Sequence, residues 1–307
     1  MLAGPRPEIH RAYTQPGGST STVCGNGAEA VQKVTGYDPA DRQIDAKELS
    51  LVTSETVRPQ RRDRPPPRRA EVVSVSRLTP RLISVQVSGD ELGVFSGAAP
   101  TSHLKVFLPA DGEPQPVVRT YTPRRWDEAA KTLELQFVLH GEGPASAWAE
   151  QAKPGDQLAV RGPGGRFQLD PAVRHWWIAG DESAIPAIAT LLEALPAAAA
   201  AEVHIEAAGP EDEIPLASPA QATISWHHRR GPQAWGGELA DAARGASFAT
   251  GTHVWVACEA AAMRGIRRYL IGDRQLPAAS LVTRGYWRLG AENYPDHDYG
   301  DDEAPAR

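Results

Sequence analysis

Cysteine and methionine are nearly absent from this 307-residue chain, which has two of each. Cys24 and Cys258 stand far apart in unlike surroundings and read as separate thiols, not as a disulfide framework. With so few cysteines, an iron–sulfur cluster of the chain's own is excluded. No apolar run approaches the roughly 18 residues that a membrane span requires. The opening stretch, Met1 to His10, lacks the apolar core of a secretory signal, so the expected compartment is the cytoplasm. Positive charge is also short. A formal net charge of -6 argues against nucleic acid as the main partner. No Gly-x-Ser-x-Gly elbow and no Cys-x-x-Cys pair occurs, and His227 and His228, adjacent in a predicted strand, face opposite sides. Neither a nucleophile nor a metal site is therefore expected.

What is present is enough apolar residue, 41%, to build cores for two ordinary domains. Residues 1–69 read as an extension of low complexity. Apolar residues there are sparse, Gly, Ser, Thr and Pro are frequent, and a short helix over Asp45 to Leu51 is its one candidate element. Arg58, Arg61, Arg62, Arg64, Arg68 and Arg69 crowd its end, while residues 296–307 form an acidic tail around Asp296, Asp298, Asp301, Asp302 and Glu303. Both charge runs read as solvated. Between them the pattern changes twice. Residues 70–171 carry about six short β-rich runs punctuated by Pro, Gly and Asp, with one helix inserted at about Ala145 to Gln151. That spacing predicts a six-stranded antiparallel barrel. Residues 172–295 alternate strand and helix, which predicts a parallel sheet covered by helices, a nucleotide-binding layout.

Two segments of the barrel carry chemistry. Arg119-Thr120-Tyr121-Thr122 ends a predicted strand, so Arg119 and Tyr121 share one face. A tyrosine ring can lie against a flat heterocycle and an arginine can pair with phosphate oxygens. Then His140-Gly141-Glu142-Gly143-Pro144-Ala145-Ser146 runs from a strand through a Gly-rich turn into a helix, whose first N–H groups suit an anion. Gly143 lets the chain come close to a pyrophosphate, and Ser146 adds a hydroxyl in the first turn. In the second region Gly180-Asp181-Glu182-Ser183 opens a turn at the carboxyl end of a strand. Asp181 and Glu182 are anionic, should not face phosphate, and have capping of the following helix as their plainer role.

The chain resembles the siderophore-interacting branch of the ferredoxin reductase superfamily. Five segments carry the resemblance in the expected order over about residues 70 to 295. They are His103 to Pro109, Arg119 to Thr122, His140 to Ala149, Gly180 to Ile188 and Gly285 to Gly290. The resemblance implies an FAD-dependent reductase that takes electrons from NAD(P)H and delivers them to ferric siderophores, with no catalytic side chain assigned because the flavin carries the chemistry. It implies that Arg119, Tyr121 and Thr122 hold the flavin ring and nearby phosphate. Gly143, Ala145 and Ser146 would hold the pyrophosphate, and His140 would lie near the flavin or adenine side. Gly180, Asp181, Glu182 and Ser183 would sit where the nicotinamide cofactor docks. Cys258 stands where the branch usually has glycine and becomes a candidate for lining the gap between flavin and nicotinamide, with a buried inert thiol as the alternative. Lys105 matches the family's lysine, and Arg166, Arg284 and Arg288 are candidates to complete a basic site for an anionic siderophore complex. The segment Ala207 to Asp212 has no basic residue for a 2′-phosphate, which favours NADH unless Arg229 or Arg230 supplies one. The rival readings are a flavin reductase working with a partner redox protein, such as a ferredoxin-like donor, and a siderophore-binding module without turnover.

Overall fold

The computed structural model describes residues 65–109, 115–139, 143–165, 167–231, 234–291 and Tyr294. Within these limits the chain builds two sheets in succession. Strand β1 (Arg68–Thr79) starts among the arginines and turns at Pro80 into β2 (Leu82–Ser88), paired antiparallel. There follow β3 (His103–Leu108), β4 (Val117–Tyr121), β5 (Arg125–Asp127), β6 (Thr132–Val138), helix α1 (Pro144–Gln151) and β7 (Gln157–Gly164). Seven strands lie in the order β4-β3-β7-β1-β2-β6-β5. The alternation of β3 sends Leu104, Val106 and Leu108 inward, where they meet Leu133, Leu135 and Phe137 of β6 in one core. Tyr121, at one edge of the sheet, packs on Phe137 near the other, with ring centroids 4.4 Å apart. The sheet is therefore curled into the expected barrel. Its seventh strand, β5, is three residues long, too short to leave a periodic signal in the sequence.

The second sheet is built from β8 (His175–Asp181), α2 (Ile185–Ala194), β9 (Ala200–Ala207), β10 (Gln221–His228), α3 (Gly237–Gly245), β11 (His253–Glu259), α4 (Ala260–Gly272) and β12 (Leu281–Trp287). All five strands are parallel, in the order β10-β9-β8-β11-β12. One face is closed by α2 over Ile178, Val203 and Trp255, and the other by α3 and α4 over Trp177, Val254 and Val256. Burial on both faces explains the near-continuous apolar runs. The order reverses between β8 and β11, so the crevice outside the carboxyl ends of these strands is where such sheets take ligands. The sequence reading did not include β12, because Arg284 and Gly285 interrupt its apolar pattern. Among the described residues no helix is long and apolar enough to cross a membrane.

Side chains tie the barrel to the parallel sheet. Arg81, at the β1–β2 turn, pairs with Glu211 and Asp212 in the one-turn helix after β9. The Thr79 hydroxyl donates to Asp212 Oδ1 at 3.0 Å, and Asp212 is 2% exposed. Arg124, beyond β4, forms a two-pronged pair with Glu193 of α2 at 2.7 and 3.0 Å. A buried carboxylate needs such partners, since an unpaired one would be expensive to desolvate. The expected extension (residues 1–64 of it), the helix over Asp45 to Leu51, Cys24 and the acidic tail lie outside the described residues.

Candidate functional site

The larger cavity, about 860 Å³, is bounded by β4, α1 and the end of β12. Register sets its barrel wall. Tyr121 pairs with Leu104 and Arg119 with Val106, so both look to the inner side of the sheet, as their spacing predicted. Lys105 pairs with Thr120 on the other face, and its ammonium donates to the Thr120 hydroxyl at 2.6 Å. Thr120 lines the cavity, whereas Lys105 does not. Burial pushes the Tyr121 phenol well above its ordinary range, so it stays neutral and can donate but not charge.

Helix α1 starts at Gly143 with extended backbone and Pro144 in its first turn, and no described side chain caps it. Proline fits there because that N–H has no helical partner. A Cβ on Gly143 would meet nothing nearer than Ser146 Oγ at 4.0 Å. The protein itself thus leaves room beside this turn, and Gly143, Ala145 and Ser146 all line the cavity. The Ser146 hydroxyl is turned back to the Val138 carbonyl at 3.3 Å, which ties α1 to β6. Gln136 is 7% exposed and also lines the cavity. Its Nε2 donates to Glu134 at 2.8 Å, but its Oε1 has no partner among the described residues. An orphaned buried acceptor costs about 1–3 kcal/mol, and a ligand N–H would relieve it. The opposite wall is aromatic, from Phe167, Trp255 and Tyr286, and carries Arg284 and Arg288. Burial raises the Tyr286 phenol too, so this wall is also neutral apart from its arginines.

A second cavity, about 460 Å³, lies at the carboxyl ends of the parallel strands. Asp181 ends β8 and is 1% exposed. Its Oδ1 accepts from the Ser183 N–H at 3.0 Å, and its Oδ2 accepts from the Glu259 N–H at 2.9 Å and the Trp287 indole at 2.8 Å. It caps the turn into α2 and joins the ends of three strands. Burial outweighs these donors and pushes its carboxyl up to about 6. Glu182 forms two 2.6 Å bonds to Arg229, whose guanidinium also lies 3.8 Å from the Trp235 ring centre and is 6% exposed. Glu206, at the end of β9, accepts from the N–H groups of Gly236 and Glu238 at 2.7 and 3.1 Å, and burial raises it to about 7. Trp287 lines both cavities and stands edge-on to Trp235 with ring centres 4.6 Å apart.

The residues singled out in the sequence divide as follows. Arg119, Tyr121, Thr122, Gly143, Ala145 and Ser146 meet at the larger cavity, and Ser183, Arg284 and Arg288 reach it from the other side. Asp181 and Glu182 face the smaller cavity, already engaged with the chain's own donors. Gly180 lines neither. A Cβ there would come within 2.6 Å of Ala184 Cβ and 2.8 Å of the Ala257 carbonyl oxygen, so glycine serves close packing of β8 on the start of α2. Cys258 is fully buried in the core under α3 and α4 and lines neither cavity, and burial raises its thiol well above the ordinary value. The physical reason is strand alternation, which turns residue 258 to the helix side. His227 and His228 do face opposite ways, the first bonded to His204 and the second to Glu213. His140 and Arg166 lie outside the described residues. Gln136, Trp235 and Trp287 were not anticipated as a group. Trp287 alone had a signal, its place in the Tyr-Trp-Arg segment.

The family model described as "Siderophore-interacting FAD-binding domain" matches residues 110–167, and "Siderophore-interacting protein" matches residues 173–290. An uncharacterized protein of Mycobacterium tuberculosis is 37% identical over 254 residues, covering 72% of this chain and 89% of that one. Ferric vibriobactin reductase ViuB of Vibrio cholerae is 32% identical over 254 residues, covering 76% and 93%. The crystal structure of a siderophore utilization protein from T. fusca superposes with a TM-score of 0.69 at 33% identity, covering 76% of this chain and 96% of that one.

Proposed function

The chain belongs to the siderophore-interacting protein family, and from that premise we propose that it is an FAD-dependent reductase passing electrons from NAD(P)H to ferric siderophores in the cytoplasm. The observation that carries the reading is the larger cavity. It brings together a Tyr/Arg strand end and, among the described residues, a helix start with no side-chain cap and a buried amide oxygen with no partner, a set suited to a flat heterocycle joined to a pyrophosphate. In this reading the barrel, residues 70–171, is the flavin domain and residues 172–295 are the donor domain. Arg119, Tyr121 and Thr122 hold the ring and a phosphate oxygen. The N–H groups at the start of α1 hold the pyrophosphate, favoured by the helix dipole. The Gln136 amide takes a ring N–H. Bound FAD supplies two-electron uptake from a nicotinamide and one-electron delivery to iron(III).

The protein's residues orient and exclude. Tyr121, Tyr286 and Trp255 present neutral aromatic surface, which keeps water from the ring without adding charge. Arg284 and Arg288 give the outer wall a positive rim that draws in an anionic iron complex, with Lys105 behind Thr120 adding to the field. The balance is one hydride, two electrons with one proton, from each dihydronicotinamide. Two ferric ions take one electron each and one proton is released. Iron(II) binds hard oxygen ligands less strongly and leaves the siderophore.

The test is an anaerobic absorbance experiment on the purified protein. The reading expects an oxidised flavin band that bleaches with NADH or NADPH and returns on adding ferric siderophore, with iron(II) trapped by a chelator. A colourless protein that cannot be reconstituted with FAD would leave only a binding module. Flavin that is reduced but not reoxidised by ferric siderophore would move the acceptor to a partner redox protein.

A further inference from the structure

Open α/β sheets hold the phosphates of a dinucleotide at helix starts, where backbone N–H groups converge on an anion. In this chain those positions at α3 and α4, and the turn that leads into α2, are filled from within. Asp181 accepts from Ser183 N at the turn into α2. Glu206 accepts from Gly236 N and Glu238 N at the start of α3. Glu259 accepts from Ala261 N and Ala262 N at the start of α4, at 2.6 and 3.0 Å. Glu206 and Glu259 thus cap α3 and α4, while Asp181 caps the one-turn helix before α2, whose own start has no side-chain cap among the described residues and carries Pro186 in its first turn. At α3 and α4 an incoming phosphate meets negative charge where it would seek N–H groups. Two more positions are closed. The end of β9, which in such sheets reads the adenosine ribose, is followed by Glu211 and Asp212, both held by Arg81 of the barrel. Arg229 is held two-pronged by Glu182, lies 3.9 Å from Glu206 and is stacked on Trp235, so it is not open to a 2′-phosphate. Arg230 is paired with Glu238 at the surface, 76% exposed, and does not line the smaller cavity. What the crevice offers instead is aromatic surface, Trp235 and Trp287, next to Ser183, which with Trp287 also faces the larger cavity.

We propose that the reductant is recognised through its dihydronicotinamide end alone, and that its pyrophosphate, adenine and any 2′-phosphate are not gripped. The substrate class on this side is then N-substituted dihydronicotinamides in general, with NADH and NADPH equivalent. The proposal rests on the reading of this crevice as the donor's docking place. It involves no bond to phosphorus: the C4–H bond of the dihydronicotinamide breaks, hydrogen and both electrons pass to the flavin, and the ring is left as a pyridinium.

Two measurements on the FAD-loaded protein test it. In the first, second-order rate constants for anaerobic bleaching are compared for NADH, NADPH, reduced nicotinamide mononucleotide and 1-benzyl-1,4-dihydronicotinamide, each divided by its rate with free FAD. The proposal expects the four ratios to agree within about tenfold. In the second, the protein is titrated calorimetrically with ADP-ribose and with 2′,5′-ADP, and no saturable heat is expected up to about 1 mM. A ratio for NADH or NADPH about 100-fold above the truncated donors, or saturable binding of either adenine fragment, overturns the inference while leaving the donor reading intact. Bleaching by none of the four overturns the donor reading, and the inference with it.

Discussion

The two cavities adjoin at Val138, Ser183 and Trp287, yet they treat negative charge in opposite ways. On the barrel side, α1 begins at a glycine with no capping side chain among the described residues, which also leave room beside it. On the sheet side, the starts of α3 and α4 and the turn into α2 are all capped by buried carboxylates. The layout of a parallel sheet therefore does not by itself make an anion site. What decides is whether the chain leaves its helix starts open or satisfies them. Here α1 of the barrel starts open beside the room left at Gly143, and that is where a phosphate-bearing cofactor fits.

The comparison can be broken most sharply by making the barrel resemble the sheet. Gly143→Asp places a capping carboxylate at an extended N-cap where any residue is tolerated. The apoprotein should gain only a few tenths of a kcal/mol from the new cap, since glycine is itself a tolerable N-cap, while FAD affinity falls about 100-fold or more through filled N–H groups and repulsion. Urea unfolding and flavin fluorescence titration read the two effects, and an unchanged affinity would show that α1 is not the phosphate site.

Next comes Gly180→Ala, which forces β8 away from α2. Overpacking against backbone and a buried Ala184 should cost about 3 kcal/mol, read as a lower urea midpoint. Equal stability would mean that the packing between β8 and α2 is looser than described.

The carboxylates also predict a pH dependence. Asp181 is raised from 3.8 to about 6 and Glu206 from 4.5 to about 7, mainly by burial. Below those values the folded state binds more protons at these two groups than the unfolded chain, so their contribution to stability is greatest at acid pH and falls as pH rises towards 7. The fall is on the order of 3 kcal/mol for Asp181. Asp181→Asn should flatten part of this slope, and an unchanged slope would assign it to other groups.

The smallest effect is expected for Glu259→Ala, about 1–2 kcal/mol of lost capping, with flavin affinity unaltered. A loss of flavin as well would mean that the two cavities are coupled.

The sequence carried much of this but not all. The shared face of Arg119 and Tyr121 followed from strand alternation, and the capping role of Asp181 from its charge and place before a helix. Lys105 follows from the same alternation, yet placing it on the opposite face from Arg119 required the pairing of β3 with β4, which only the folded sheet supplies. The burial of Gln136 was not legible, since in Leu135-Gln136-Phe137 it occupies a position that alternation assigns to solvent. The closure of Arg229 depends on Glu182 and Glu206, 47 and 23 residues away in sequence, and no local pattern links them. The glycine at 180 was visible, but the reason for it, contact with Ala184 and Ala257, is tertiary.

The most direct measurement of the central claim is a fluorescence titration of apoprotein with riboflavin, FMN and FAD. If the uncapped start of α1 grips the cofactor's phosphates, affinity should rise about 100-fold or more from riboflavin to FAD. Equal affinities for riboflavin and FAD would contradict it.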